Sequence, residues 1–191
     1  MSNAIEIEAK ALVDKEGYTK LLSLFPESKP FSQTNYYIDD SESTLRKEGL
    51  GLRIREKEGL YEMTLKTPLS QGLLEKNCTW TKEDFLAFQN GAPFKEGDIK
   101  RFLTMLGIDT SKLHIKTSLT TNRIDAPYEG GKLSIDENHY SGIVDYEIEL
   151  EHNNQKDAEN ILESLLKKEG IPYRINRKTK VARALDAFES K

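Results

Sequence analysis

The chain has 191 residues, of which 37% are apolar and 31% charged, with a formal net charge of −4. This length suits one domain with a substantial core, and the slightly acidic balance gives no reason to expect nucleic acid or an anionic membrane as partner. No stretch is apolar enough to span a bilayer, no signal-peptide pattern opens the chain, and the lone Cys78 excludes an internal disulfide framework and a cysteine zinc cluster, so a reducing, cytoplasmic setting is expected.

Residues 1–3 read as a tag remnant or disordered start, which leaves residues 4–191 as a single domain. Ile5-Glu6-Ile7-Glu8-Ala9-Lys10 alternates apolar and ionised side chains with period two, the pattern of a strand with one greasy face. Its other face carries two carboxylates and an ammonium roughly 7 Å apart. A divalent cation held by Glu6 and Glu8, with Lys10 aimed at the same anion, would use all three; the plainer reading is a half-buried strand with its wet face outward.

Lys15 to Phe25 has helical spacing and stops at Pro26, and Phe31 to Asp39 is rich in strand formers. Residues 41–49 form a short helical turn or loop, after which Leu50 to Glu56 alternates, with Arg53 and Arg55 on one face. A turn at Glu58-Gly59 leads into Leu60 to Thr67, where Glu62, Thr64 and Lys66 share a face and Pro68 ends the strand. Beyond a turn at Gly72, the strand Leu73 to Trp80 contributes Glu75. Thr81 with Asp84 three residues on predicts a capped helix through about Phe88, and Ile99, Phe102, Leu103 and Leu106 mark another that Gly107 closes.

The strand pattern returns in His114 to Asp125, which carries Arg123, in Lys132 to Asp136 after a Gly130-Gly131 turn, and in Tyr140 to Glu151. The spacing of Ala158, Ile161, Leu162, Leu165 and Leu166 predicts the clearest helix, stopped by Gly170 and Pro172. A short strand near Tyr173 to Asn176 and a last helix from about Thr179, with Val181, Ala184, Leu185 and Phe188 as its buried stripe, complete the chain. About eight strands in hairpin order with four or five helices give an α+β fold with a mainly antiparallel sheet.

The strand residues opposite the greasy face are Glu6, Glu8 and Lys10; Arg53 and Arg55; Glu62, Thr64 and Lys66; Glu75; Arg123; Lys132, Ser134 and Asp136; and Glu147, Glu149 and Glu151. Around eight antiparallel strands can close into a barrel, with amphipathic helices over the outer greasy face and the charges lining a tunnel. Clustered Arg and Lys in a confined space call for a polyanion, and clustered Glu for a cation bridging it to the wall; condensed phosphate with Mg²⁺ or Mn²⁺ meets both demands. The plainer alternative is a solvated face laced with cross-strand ion pairs.

Glu6-Ile7-Glu8-Ala9-Lys10 resembles the ExExK signature of the CYTH superfamily, the triphosphate tunnel metalloenzymes. The resemblance continues through Tyr36-Tyr37-Ile38-Asp39, Leu52-Arg53-Ile54-Arg55, Thr64-Leu65-Lys66, Tyr146-Glu147-Ile148-Glu149 and Thr179-Lys180-Val181-Ala182-Arg183. It implies an eight-stranded antiparallel closed barrel in which Glu6, Glu8, Glu147 and Glu149, joined by Asp136, ligate Mg²⁺ or Mn²⁺. Lys10, Arg53, Arg55, Lys66, Arg123 and Lys180 would bind the phosphates, with Lys10, Arg55 and Lys66 closest to the chemistry. The family's C-terminal lysine usually follows Ser, whereas here the order is Lys178-Thr179-Lys180, so Lys178 and Lys180 are both candidates. Lys132 and Glu75 face the tunnel by parity, on less specific matches.

No GxxxxGK[ST] is present, the spacing of His114, His139 and His152 fits no metal motif, and Cys78 reads as a small buried residue. The expected function is metal-dependent hydrolysis of a small linear triphosphate, inorganic tripolyphosphate foremost, releasing orthophosphate. The alternatives are a class IV adenylate cyclase, a thiamine triphosphatase and a non-catalytic polyphosphate-binding module.

Overall fold

The computed structural model describes residues 2–69 and 73–190, with residues 2–6 described by backbone alone; the predicted turn at Gly72 and the side chain of Glu6 lie outside what it describes. One antiparallel sheet dominates, built from β1 (Ser2–Glu6), β2 (Glu8–Val13), β3 (Phe31–Asp39), β4 (Gly51–Lys57), β5 (Leu60–Pro68), β6 (Leu73–Trp80), β7 (His114–Tyr128), β8 (Gly131–Tyr140) and β9 (Ile143–Glu151). Their hydrogen-bonded order is β1-β6-β5-β4-β3-β7-β8-β9-β2.

The two ends of that order, β1 and β2, are consecutive in the chain and separated only by Ile7. β1 pairs with β6 and β2 with β9, while the Ile7 carbonyl accepts from the His152 backbone N–H at 3.0 Å. The expected closed eight-stranded barrel is therefore corrected: the opening strand changes partner at Ile7, and the ladder of nine segments is not closed by hydrogen bonds. Ser2 and Asn3, set aside as a start outside the fold, are in register with Asn77 and Lys76. The short strand expected near Tyr173 to Asn176 reduces to a single bridge between Ala11 and Ile175.

Three hairpins turn on two residues, Glu58-Gly59, Glu129-Gly130 and Ser141-Gly142, all with positive φ. Two successive positive φ values match the right-handed twist of the strands they join, and glycine at the second place removes the steric cost there. The predicted Gly130-Gly131 turn is thus shifted by one residue, and Gly131 instead begins β8, packed against β9.

The helices are α1 (Lys15–Ser23), α2 (Thr44–Lys47), α3 (Lys82–Gln89), α4 (Asp98–Met105), α5 (Gln155–Lys168) and α6 (Lys180–Glu189). Thr81 and Asp84 form the predicted capping box at α3, and Asn154 caps α5 through its side-chain oxygen. The outer sheet face is buried in two apolar clusters. Leu52, Ile54, Met63 and Leu65 pack beneath Phe85, Phe88, Ile99 and Leu103 of α3 and α4. Ala9, Ala11, Leu133, Ile135, Ile148 and Leu150 pack beneath Leu21 of α1 and Leu162, Leu165 and Leu166 of α5. Each fully buried Leu or Ile there contributes about 1.5–3 kcal/mol.

α6 departs from the expectation that all helices lie outside. Its Ala184 packs with Tyr37, Leu119 and Tyr140, which share the sheet face of the charges. The predicted stripe is only partly right, since Ala184 and Leu185 are buried but Phe188 is 46% exposed.

A Cβ added at Gly131 would stand 2.5 Å from the Glu151 carbonyl oxygen, a backbone atom that cannot swing aside. Gly131→Ala is expected to cost about 1–3 kcal/mol in urea unfolding, because β8 must move off β9; unchanged stability would show that this edge of the sheet yields freely.

Candidate active site

The inner sheet face and the first turns of α6 enclose a cavity of about 430 Å³. Parity carries Glu8 and Lys10 into it from β2, Arg53 and Arg55 from β4, Lys66 from β5, Glu75 from β6, Arg123 from β7, Lys132 from β8, and Glu149 and Glu151 from β9. Lys180 enters from α6, whereas Lys178 is not in the lining and pairs with Asp186 on the surface.

Most of these cations already hold a carboxylate. Lys10 donates to Glu8 at 2.5 Å, Lys66 lies 2.7 Å from Glu75 and Lys132 lies 2.5 Å from Glu151. Arg123 grips Asp136 with two parallel bonds of 2.6 Å and reaches Glu149 at 2.7 Å. Burial works against the charged form of Arg123, but the carboxylates of Asp136 and Glu149 outweigh it and raise its pKa above the ordinary value.

Arg53 and Arg55 are the exception. Nε of Arg53 is buried without a hydrogen-bond partner, and Nε of Arg55 donates only to the neutral amide oxygen of Asn35, at 3.1 Å. Among the described residues neither guanidinium has a carboxylate within ion-pair range. Burial, and then the like charges of Arg53 and Arg123, push the Arg55 guanidinium below its ordinary pKa. A cationic pair in this state gains from any multivalent anion that reaches it.

Opposite them stands an acidic trio. Asp136 and Glu147 are fully buried, and their ligand atoms and that of Glu149 all lie within 4.8 Å of one another. Three convergent carboxylates suit a hard divalent cation, so the donor set fits Mg²⁺ or Mn²⁺. Glu8, another ligand expected from the sequence, lies on the cavity wall under Lys10 rather than in the trio. Nζ of Lys180 lies 2.8 Å from Asp136, 2.5 Å from Glu147 and 2.6 Å from Glu149. Burial opposes that charge, yet the three carboxylates hold Lys180 well above its ordinary pKa. Reciprocally, Lys180, Arg123 and Lys10 overcome burial to hold Glu149 well below the usual carboxylate range.

Sequence reasoning missed a second tier beneath the trio. Arg183 donates to both oxygens of Glu147, at 2.9 and 3.1 Å, and to Asp145 at 2.9 Å. Asn176 adds a bond to Glu147 at 2.5 Å. The clue was present: Arg183 follows Lys180 by three residues, which puts both on one helix face. Gln33, Asn35 and Tyr37 of β3 also line the cavity, as does Arg46 of α2, which lies 2.5 Å from Asp186 of α6.

The sequence profile of the CYTH domain matches residues 4–185. The chain belongs to the CYTH domain family. Among CYTH relatives, YjbK of Bacillus subtilis, named as a candidate triphosphatase, is 36% identical over 185 residues, covering 96% of this chain and 95% of that protein. A crystal structure from Bacillus halodurans, named as a candidate adenylate cyclase, is also 36% identical, with a TM-score of 0.88 and coverage of 96% and 98% of the two chains. HpAC1 of Hippeastrum, described as a candidate adenylyl cyclase with a dominant triphosphatase activity, shares the fold at 22% identity and a TM-score of 0.77, over 97% of this chain and 96% of its own. The same CYTH architecture thus carries both activity names.

The two kinds of cavity arginine should respond oppositely to removal. Arg123→Met leaves Asp136 and Glu149 short of a cation and is expected to cost about 3–5 kcal/mol in urea unfolding. Arg53→Met removes a half-buried cation that has no carboxylate in ion-pair range among the described residues, and should leave stability unchanged or raise it by about 1 kcal/mol. Equal losses in the two variants would mean that Arg53 is compensated as fully as Arg123.

Proposed function

We propose that this protein is a divalent-metal-dependent hydrolase of a linear triphosphate, inorganic tripolyphosphate foremost, which releases orthophosphate. The observation that carries this reading is the pair Arg53 and Arg55, which have no carboxylate in ion-pair range among the described residues, in a cavity where Lys10, Lys66, Arg123, Lys132 and Lys180 are each paired. On this reading the one-residue link at Ile7 completes a tunnel around the substrate. The phosphate chain lies across Arg53 and Arg55, with Lys66, Lys10, Arg123 and Lys132 exchanging their carboxylates for phosphate oxygens. Asp136, Glu147 and Glu149 would hold Mg²⁺ or Mn²⁺, joined on the family resemblance by Glu6 and Glu8, and the ion would supply charge neutralisation at the phosphate oxygens.

Phosphoryl transfer asks little covalent chemistry of a protein, so positioning and electrostatics supply the acceleration. Water attacks the terminal phosphorus, the anhydride P–O bond breaks, and pyrophosphate leaves with its charge on oxygens already facing Arg55 and Lys66. No side chain becomes phosphorylated. The lone free Cys78 suits a cytoplasmic location.

A second reading has its own support. Ile38, Leu50, Val181 and Leu185 also line the cavity, and they offer an apolar surface to a substrate bearing an organic group, such as ATP. The Bacillus halodurans relative carries a cyclase name. Chromatography of the products from tripolyphosphate and from ATP separates the two readings: orthophosphate from tripolyphosphate ahead of ATP supports hydrolysis, and cyclic AMP with pyrophosphate as the main output from ATP replaces it. EDTA should abolish turnover, and Mg²⁺ or Mn²⁺ restore it; full activity in EDTA would remove the metal assignment. Arg55→Ala is expected to lose about 2–4 kcal/mol of transition-state stabilisation, read as a fall in kcat/KM.

A further inference from the structure

Lys180 opens α6 directly after Thr179, whose hydroxyl caps the helix by accepting from the Ala182 N–H. Its ammonium stands at the point on which Asp136, Glu147 and Glu149 converge, within 2.8 Å of all three. Carboxylates this close cannot all stay ionised without a cation among them, and here a side chain of the protein fills that place. The rest of α6 is anchored without Lys180, because Arg183 is fixed by Asp145 and Glu147, and Ala184 and Leu185 are buried. Lys180 also lines the cavity that holds Arg53 and Arg55, so its flexible four-carbon stem has somewhere else to go.

We propose that Lys180 is an exchangeable counter-ion: it seats itself on the Asp136-Glu147-Glu149 trio when no divalent cation is bound, and leaves the trio for the phosphates when one is. The proposal rests on the metal-dependent reading above and deepens it. Lys180 and the cation compete for the same oxygens, so the lysine weakens metal binding to the substrate-free protein. An anion that draws Lys180 away tightens metal binding, and by linkage the metal tightens anion binding through the same residue. Premature loading with metal is thereby disfavoured, and both ligands arrive together.

The test uses Mn²⁺ alone, without phosphate, titrated calorimetrically into the full chain, Lys180→Met and Arg53→Met. Arg53→Met removes the same charge from the cavity but does not touch the trio. Lys180→Met should bind Mn²⁺ about tenfold tighter than the unaltered protein, and Arg53→Met within about threefold of it. Unchanged or weaker binding by Lys180→Met overturns the exchange. If that happens while the unaltered protein still binds Mn²⁺ and hydrolyses tripolyphosphate, the inference falls alone; if no form binds Mn²⁺, it falls together with the metal reading. A measurement on the unaltered protein covers a variant that fails to fold. Acylation of Lys180 by an amine-reactive ester, followed by mass spectrometry, should speed up on adding Mg²⁺, and an unchanged or slower rate overturns the proposal.

Discussion

Ionised groups that face an enclosed space must meet opposite charge within a few ångströms, and antiparallel register decides which of them do. In this sheet Lys66 lies opposite Glu75, Arg123 opposite Asp136, Lys132 opposite Glu151 and Lys10 opposite Glu149. A slip of one residue in any of these ladders would turn the charges into the apolar clusters and the leucines into the cavity. The interior charge pattern and the outer core are therefore one constraint seen from two sides of the same strands. β4 departs from this pattern: Arg53 faces Tyr37 and Thr64 across its two neighbours, and Arg55, although in register with the exposed Glu62, bonds the neutral Asn35 on its other side instead.

α6 completes the site from the inner side, where no strand can reach. Lys180 and Arg183, one turn apart, put two cations onto acids that β8 and β9 present. Glu147 then holds Arg183 and Asn176 on one oxygen and Arg183 and Lys180 on the other. A fully satisfied buried carboxylate of this kind fixes geometry, since displacing any one donor leaves an uncompensated charge.

Much of this was legible in the residues. Period-two alternation assigned the correct face to Lys10, Arg53, Arg55, Lys66, Arg123 and Glu149, because the pleat allows only two faces and the apolar partners had to be buried. Alternation is silent about partners, however. The run Ile5 to Lys10 keeps its period unbroken through Ile7, where the strand exchanges β6 for β9, so a closed ladder was expected and not found. The placement of α6 was hidden for a related reason. An amphipathic stripe shows that a helix has a buried side but not which face of a sheet receives it, and only the charges of Lys180 and Arg183 distinguish the polar face from the outer one. Asn176 had no signal at all, being a neutral residue in a segment of one bridge.

That segment does more than supply Asn176. The backbone of residues 174–176 bonds to the outer edge of β2, with Leu12 N–H donating to the Arg174 carbonyl at 3.3 Å and Asn176 N–H to the Lys10 carbonyl at 2.8 Å. A bare strand edge recruits other chains and seeds aggregation. Here the edge is guarded by the same few residues that lead into α6 and brace Glu147. Damage to this stretch would uncover the Lys10 and Leu12 backbone at the moment it removes the Asn176 brace from Glu147, so that self-association and a loosened cavity wall become a single failure.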